Sequence, residues 1–193
     1  MKKTLSIVLI IIFASNASSA KNIKEAYFAG GCFWCVEEFF EKTKGVEEVI
    51  SGYSGGNTEN PSYKEVTYGN TGHFEAAKII YDSDVISYKE LLNLYWQNVD
   101  PFDATGQFCD KGSSYRSVAF YKTNDEKDEI KNSIENIEKK FRGKKVVTFI
   151  RKFEKFYPAE NYHQDYYQEN FMNYLLYKKA CGRDETLKII WNN

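Results

Sequence analysis

Two helix-start signatures set the divisions of this chain. Ser87-Tyr88-Lys89-Glu90 and Thr123-Asn124-Asp125-Glu126 each place a hydroxyl residue three positions before a glutamate. In that spacing the two side chains cap each other's backbone N–H groups in the first helical turn. The first box opens a helix through Leu91, Leu94 and Tyr95. The second opens one whose Ile130, Ile134, Ile137 and Phe141 recur at helical spacing, with charge elsewhere. Around them lie strand-like runs at Glu25–Ala29, Val46–Ile50, Phe74–Tyr81, Ser117–Tyr121 and Lys145–Phe153. With a further helix from Cys32, stopped at Lys44-Gly45, the order is β-α-β-β-α-β, then a helix and a strand. This order predicts an α+β fold, a ferredoxin-like mixed sheet faced by helices. The aromatic-rich C-terminal segment reads as irregular, with a short helix around His163–Phe171. No repeat or linker interrupts residues 21–193, which read as one domain.

Of the 193 residues, 42% are hydrophobic and 27% charged, and the formal net charge is −1, which excludes a disordered polyelectrolyte and a dedicated nucleic-acid binder. The N-terminus is a separate matter. Lys2 and Lys3 precede an apolar run from Leu5 to Ala14, then small residues to Ala20. That is the order of a secretory signal cleaved near Ala20, and the apolar run is half the length of about 20 residues needed to cross a bilayer. Cleavage removes two lysines and leaves 24 basic against 27 acidic residues, a charge of −3. The expected location is periplasmic or extracellular, without stable membrane insertion, where paired thiols tend to oxidise.

Four cysteines in a chain this long are too few to replace a core, so the sharpest of them point to chemistry. Gly30-Gly31-Cys32-Phe33-Trp34-Cys35 places Cys32 between a strand and a helix start, where free N–H groups and the helix dipole are expected to lower its thiol pKa. The glycines would let another molecule approach the backbone. Cys35 lies one helical turn on, within reach of Cys32, so the pair reads as redox-active or as a structural disulfide. A zinc site would need two more ligands from Cys109, Cys181, His73 or His163, and no second ligand pair exists in the sequence. Gly52-Tyr53-Ser54-Gly55-Gly56 matches a nucleophile elbow in letters only, since no helix follows, and it reads as a flexible turn. Alternation in Phe74–Tyr81 puts Glu75 on the face of Ala77, Ile79 and Tyr81. There it is either a desolvated, proton-donating carboxyl or a strand-end residue reaching solvent. The long Asp100–Tyr115 loop supplies Asp110 and Tyr115, with Arg116 just after it. His163 reads as a hydrogen-bonded structural residue, and His73 as a turn residue.

Thiolate, neutral acid, phenols and aromatics together suit attack of sulfur on an electrophile whose oxygen must be protonated. Gly31-Cys-Phe-Trp34, Ser51-Gly-Tyr-Ser-Gly-Gly56, Asn60-Pro-Ser-Tyr63, Gly72-His-Phe-Glu75, Asp110 through Tyr115-Arg116-Ser117, and Tyr162-His-Gln164 together resemble the peptide methionine sulfoxide reductase A family, in order and spacing over residues 24–191. The resemblance implies reduction of methionine S-sulfoxide, protein-bound or free, with repair of oxidative damage as the role. It implies Cys32 as nucleophile, Glu75 as proton donor, Tyr63 and Tyr115 as hydrogen-bond donors to the oxygen, and Asp110 in the polar wall. Phe33 and Trp34 would hold the S-methyl group. A Cys32 sulfenic acid would then condense with a second thiol, and a thioredoxin-like dithiol would reset a monomeric enzyme that needs no prosthetic cofactor and no metal. The departure is Cys35, where many members carry glycine and resolve with a cysteine nearer the C-terminus. Proximity favours Cys35 as resolver; a relay onward to Cys181, beside Gly182, is the other route. Cys109 reads as a buried, inert thiol. A thioredoxin-type thiol–disulfide oxidoreductase is the alternative, and it leaves Glu75 and the tyrosine blocks without a role; an exported binding domain with a structural Cys pair is the non-enzymatic reading.

Overall fold

The computed structural model describes residues 21–192; the expected leader, residues 1–20, lies outside the described residues. The elements run β1 (Ile23–Ala29), α1 (Phe33–Glu41), β2 (Val46–Ser54), α2 (Tyr63–Tyr68), β3 (Phe74–Asp82), α3 (Tyr88–Gln97), β4 (Gly106–Gln107), β5 (Asp110–Lys111), β6 (Val118–Tyr121), α4 (Asn124–Lys140), β7 (Phe149–Lys152), β8 (Phe156–Pro158), α5 (Tyr166–Glu169), α6 (Phe171–Cys181) and α7 (Arg183–Trp191). The sheet order is β7-β6-β1-β3-β2-β8. Its centre, β6-β1-β3-β2, is antiparallel throughout and joined by α1 and α3 in the ferredoxin-like manner. A parallel strand, β7, extends one edge, and β8 extends the other. The mixed α+β sheet faced by helices is the fold expected from the element order.

Strand alternation divides the core as the period of two requires. Phe28, Ala77 and Ile79 pack with Val36 and Phe40 of α1 and Leu91 and Tyr95 of α3. Tyr27, Phe74, Ala76 and Phe120 face the other way, under Phe149, Phe153 and Phe156. Both predicted capping boxes form, with Ser87 and Thr123 accepting from the backbone N–H of Glu90 and Glu126. A third, Ser62 with Glu65, starts α2 just beyond the stretch expected to be loop.

Three stretches differ from expectation. Gly52, Tyr53 and Ser54 are not a flexible turn; they finish β2 and pair with both β3 and β8. The glycine serves close approach, because a Cβ at Gly52 would lie 2.4 Å from the Tyr157 carbonyl oxygen. The Asp100–Tyr115 loop folds in part into the β4–β5 hairpin and a single 3₁₀ turn at Ser113–Tyr115. The C-terminal segment, read as irregular, carries helices α5, α6 and α7. Its periodicity is masked because Phe171, Met172, Leu175 and Leu176 are exposed on α6 while Tyr174 is buried on the opposite side. Among the described residues no helix is long and apolar enough to cross a membrane.

Candidate active site

The site forms where β1 hands over to α1. Gly31 takes a φ of +82°, and a Cβ there would come 2.6 Å from Gln107 Cβ. Its freedom serves a left-handed turn packed against the Gln107 side chain. Cys32 follows as the N-cap of α1. The Cys32 carbonyl accepts from the N–H groups of Cys35 and Val36, and the N–H of Phe33 donates to Glu75 Oε2 at 3.1 Å.

Glu75 arrives from β3 on the same face as Ala77 and Ile79, and it is 2% exposed. Burial pushes its pKa up to about 8, against the Phe33 N–H and with help from Asp110. It does not reach solvent from a strand end; it is a neutral carboxyl at pH 7. Cys32, Phe33, Trp34, Tyr63, Glu75, Asp110, Tyr115 and the unexpected Tyr177 line one cavity of about 60 Å³. Every catalytic or substrate-contacting residue expected from the sequence is therefore in one place. Burial raises the phenol of Tyr63 to about 12 and that of Tyr115 further, so both remain O–H donors.

The thiol pair departs from expectation. Burial raises the Cys32 pKa well above the ordinary thiol value, and Cys35 and Glu75 add to the rise. One of the N–H groups at the helix start, that of Phe33, is engaged by Glu75, and Cys32 accepts no capping hydrogen bond through its side chain. Cys35 is the more acidic partner: the Cys32 S–H and the Arg183 guanidinium lower it to about 7 against the cost of burial. Of the two, Cys35 gives up its proton the more readily.

Cys181 and Cys109 are also placed differently. Cys109 is exposed and bonded to Cys181, 72 residues away, leaving Cys32 and Cys35 as the free thiols. Cys109 is thus not a buried inert thiol, and in this state Cys181 has no thiol to offer a relay. The bridge ties the tip of the β4–β5 hairpin to the end of α6. Near it, Tyr177 donates to Asp110 Oδ2 at 2.5 Å.

Several supporting residues had no sequence signal strong enough to single them out. Glu160 accepts from the Tyr63 N–H and from the Tyr53 hydroxyl, each at 2.8 Å, and so orients Tyr63. Tyr166 stacks on Trp34 with centroids 3.8 Å apart. Gln164, in a block the resemblance did include, ties the backbone of Ser51 through both its N–H and its carbonyl. His163 is buried between the rings of Phe33, Trp34 and Tyr63, and burial lowers its pKa, so it is a neutral plate. Neither of its ring nitrogens has a hydrogen-bond partner among the described residues, contrary to the bonded role expected. His73 is the bonded histidine: Nδ1 accepts from the Gly56 N–H and Nε2 meets the Thr58 carbonyl at 2.7 Å. Arg116 lies over the Phe149 ring, outside the cavity.

A buried thiol pair at a helix start, whose first member shares a small cavity with a neutral carboxyl and two phenols on a ferredoxin-like sheet, defines a thiol-dependent oxidoreductase. The family model described as peptide methionine sulfoxide reductase matches residues 24–193, and the chain belongs to that family. A peptide methionine sulfoxide reductase MsrA of Listeria monocytogenes serotype 4b is 47% identical over 172 residues, which are 89% of this chain and 97% of that protein. Among solved structures, Saccharomyces cerevisiae Mxr1 in reduced form is 32% identical with a TM-score of 0.72, over 79% of this chain and 87% of that one. Mxr1 in complex with Trx2 shares the fold at 24% identity and a TM-score of 0.53, over 77% of this chain and 86% of that one. The chain is, with its family, an oxidoreductase that acts on methionine sulfoxide.

Proposed function

We propose that the protein reduces methionine S-sulfoxide, in oxidised proteins and peptides and as the free amino acid, through a Cys32 sulfenic acid resolved by Cys35. The observation that carries this reading is the single cavity in which the Cys32 sulfur meets a carboxyl that is neutral at pH 7. Sulfoxide oxygen seated against Tyr63, Tyr115 and Glu75 becomes a better proton acceptor as charge develops on it. Cys32 passes its proton to the Cys35 thiolate as it attacks the sulfoxide sulfur, and Glu75 protonates the oxygen. The oxygen transfers to Cys32, the thioether leaves, and Cys32 becomes a sulfenic acid. Cys35, now a thiol, attacks the Cys32 sulfur; a Cys32–Cys35 disulfide forms, the Cys35 proton joins the departing hydroxyl as water, and Glu75 regains its own proton from solvent. Phe33 and Trp34 offer the S-methyl group an apolar wall, stiffened by Tyr166 and His163.

With oxygen and methyl each assigned a wall, one epimer fits. The test is a peptide carrying racemic methionine sulfoxide with dithiothreitol as reductant: consumption is expected to stop at half, with the R epimer left. Complete consumption, or none, contradicts the reading. The physiological reductant proposed is a thioredoxin-like dithiol, by analogy with the Mxr1–Trx2 complex, and no prosthetic cofactor is invoked. The leader-like residues 1–20 support export and a role in repairing oxidised proteins outside the cytoplasm.

A further inference from the structure

Cys32 and Cys35 open onto different cavities. Cys32 lines the small one with Glu75, whereas Cys35 lines a separate space of about 410 Å³ between α1, the end of α3, α6 and α7. That second space carries four cations, Lys42, Lys178, Arg183 and Lys188, against two carboxylates, Glu38 and Asp184. Glu38 is already engaged by Lys42 at 2.7 Å and Lys178 at 2.8 Å, and Lys178 also reaches Asp184 at 3.5 Å. Arg183 is buried and spends its hydrogen bonds on neutral oxygens, the carbonyls of Gly30 and Asn98 and the Asn98 side chain. Lys188 is exposed on α7. Arg183 and Lys188 therefore leave the space positively charged, next to the sulfur of Cys35.

We propose that this cavity binds a small anionic thiol, one carrying a carboxylate or sulfonate, which reduces the Cys32–Cys35 disulfide by attacking Cys35. The proposal rests on Cys35 as resolver. Its volume lies within the roughly 300–1,000 Å³ of small-molecule pockets. The incoming thiolate forms a bond to Cys35 Sγ, and the electron pair of the broken S–S bond goes to Cys32, which takes up a proton beside the Tyr177 hydroxyl. A second molecule of the thiol attacks the reductant sulfur of the mixed disulfide. The small disulfide leaves and Cys35 is released as a thiolate facing Arg183. Two thiols are oxidised and one protein disulfide is reduced, so electrons balance. Substrate enters on one side of the pair and the reductant on the other, and neither must leave before the other binds.

The experiment compares 2-mercaptoethanesulfonate with neutral 2-mercaptoethanol at equal thiolate concentration, with a saturating sulfoxide peptide and the full chain. The ratio of their kcat/KM values is expected to favour the anion by about tenfold at low salt and to fall toward one at high salt. In Lys188→Glu the ratio is expected to drop about two- to fivefold further, and by less in Lys188→Gln. A wild-type ratio at or below one, or a ratio that Lys188→Glu leaves unchanged, overturns the proposal. Mass spectrometry after one turnover without reductant separates the two claims: no Cys32–Cys35 disulfide overturns Cys35 as resolver, whereas that disulfide with an unchanged ratio overturns only the anionic-thiol site.

Discussion

The backbone N–H of Phe33 donates to Glu75 Oε2 at 3.1 Å, so the first turn of the helix that presents Cys32 also holds the acid. The proposed nucleophile and proton donor thus share one joint between β1, β3 and α1. The N–H bond alone would make the carboxyl more acidic; burial outweighs it and pushes the pKa up to about 8. The carboxyl proposed to give its proton to oxygen is in this way kept neutral near pH 7 without losing its fixed position.

Glu75→Gln keeps the shape and the Phe33 contact but removes the transferable proton. It is expected to lower kcat/KM for the sulfoxide peptide by about 10²–10⁴-fold. Alkylation of the thiol pair should stay within the wild-type range. In the wild type, the acid-dependent rate should decline as pH rises through about 8, where Glu75 loses its proton. Wild-type turnover in the Gln variant would remove Glu75 from the mechanism.

Arg183 is one of the groups that make Cys35 more acidic. It is a buried cation that acts on Cys35, and it lowers a thiol already lowered by the Cys32 S–H. Arg183→Met is expected to raise the pH midpoint of Cys35 alkylation by about one unit, while Arg183→Lys, which retains the charge, raises it less. Both variants lose bonds to the Gly30 and Asn98 carbonyls, so stability should fall by about 1–3 kcal/mol in either. The alkylation profile separates charge from packing: equal midpoints in the two variants would deny Arg183 an electrostatic role.

The Cys109–Cys181 bridge predicts a division between stability and resolution. It closes a loop of 72 residues, and its loss in Cys181→Ser is expected to cost about 2–4 kcal/mol in a denaturant melt. Because the bridge joins the hairpin of Asp110 to the helix of Tyr177, some activity should be lost as well. Resolution should survive: one turnover of Cys181→Ser without reductant is expected to leave Cys32 bonded to Cys35. Accumulation of a Cys32 sulfenic acid there would instead make Cys181 the resolving thiol.

The sequence carried the fold and the reacting groups for a local reason. Capping boxes, strand alternation and the Gly-Gly-Cys-Phe-Trp-Cys turn are each written in a few adjacent residues. Expectation and structure part where a long-range partner decides the outcome. Gly52 looks like a turn until Phe156 and Tyr157 are laid across it. Cys109 looks inert until the chain returns 72 residues later with Cys181. The thiol pKa values likewise follow from burial and from Arg183, which no spacing rule connects to Cys32 or Cys35. Helix α6 hid because its outer face is apolar too, so Tyr174 and Tyr177 had no polar background to stand against.

A last prediction concerns a carboxyl with no place in the reaction. Glu37 on α1 is 1% exposed, accepts from the Asp165 N–H at 3.2 Å, and has Glu41 and Asp165 as like-charged neighbours. Burial raises its pKa to about 8. Between the ordinary carboxylate range near 4.5 and that value, the folded protein therefore holds a proton the unfolded chain has lost. Stability contributed by the neutral form is complete below the unfolded pKa, declines as pH rises toward 8, and is flat above it. Glu37→Gln does not titrate, so it should match wild type near pH 4 and exceed it at pH 8 by about 1–3 kcal/mol. Glu75 contributes a slope of the same sign in both proteins, and Cys35, lowered to about 7, an opposite one above that pH. Only the difference between the two denaturant-melt profiles isolates Glu37, and parallel profiles from pH 4 to 8 would show that it folds already ionised.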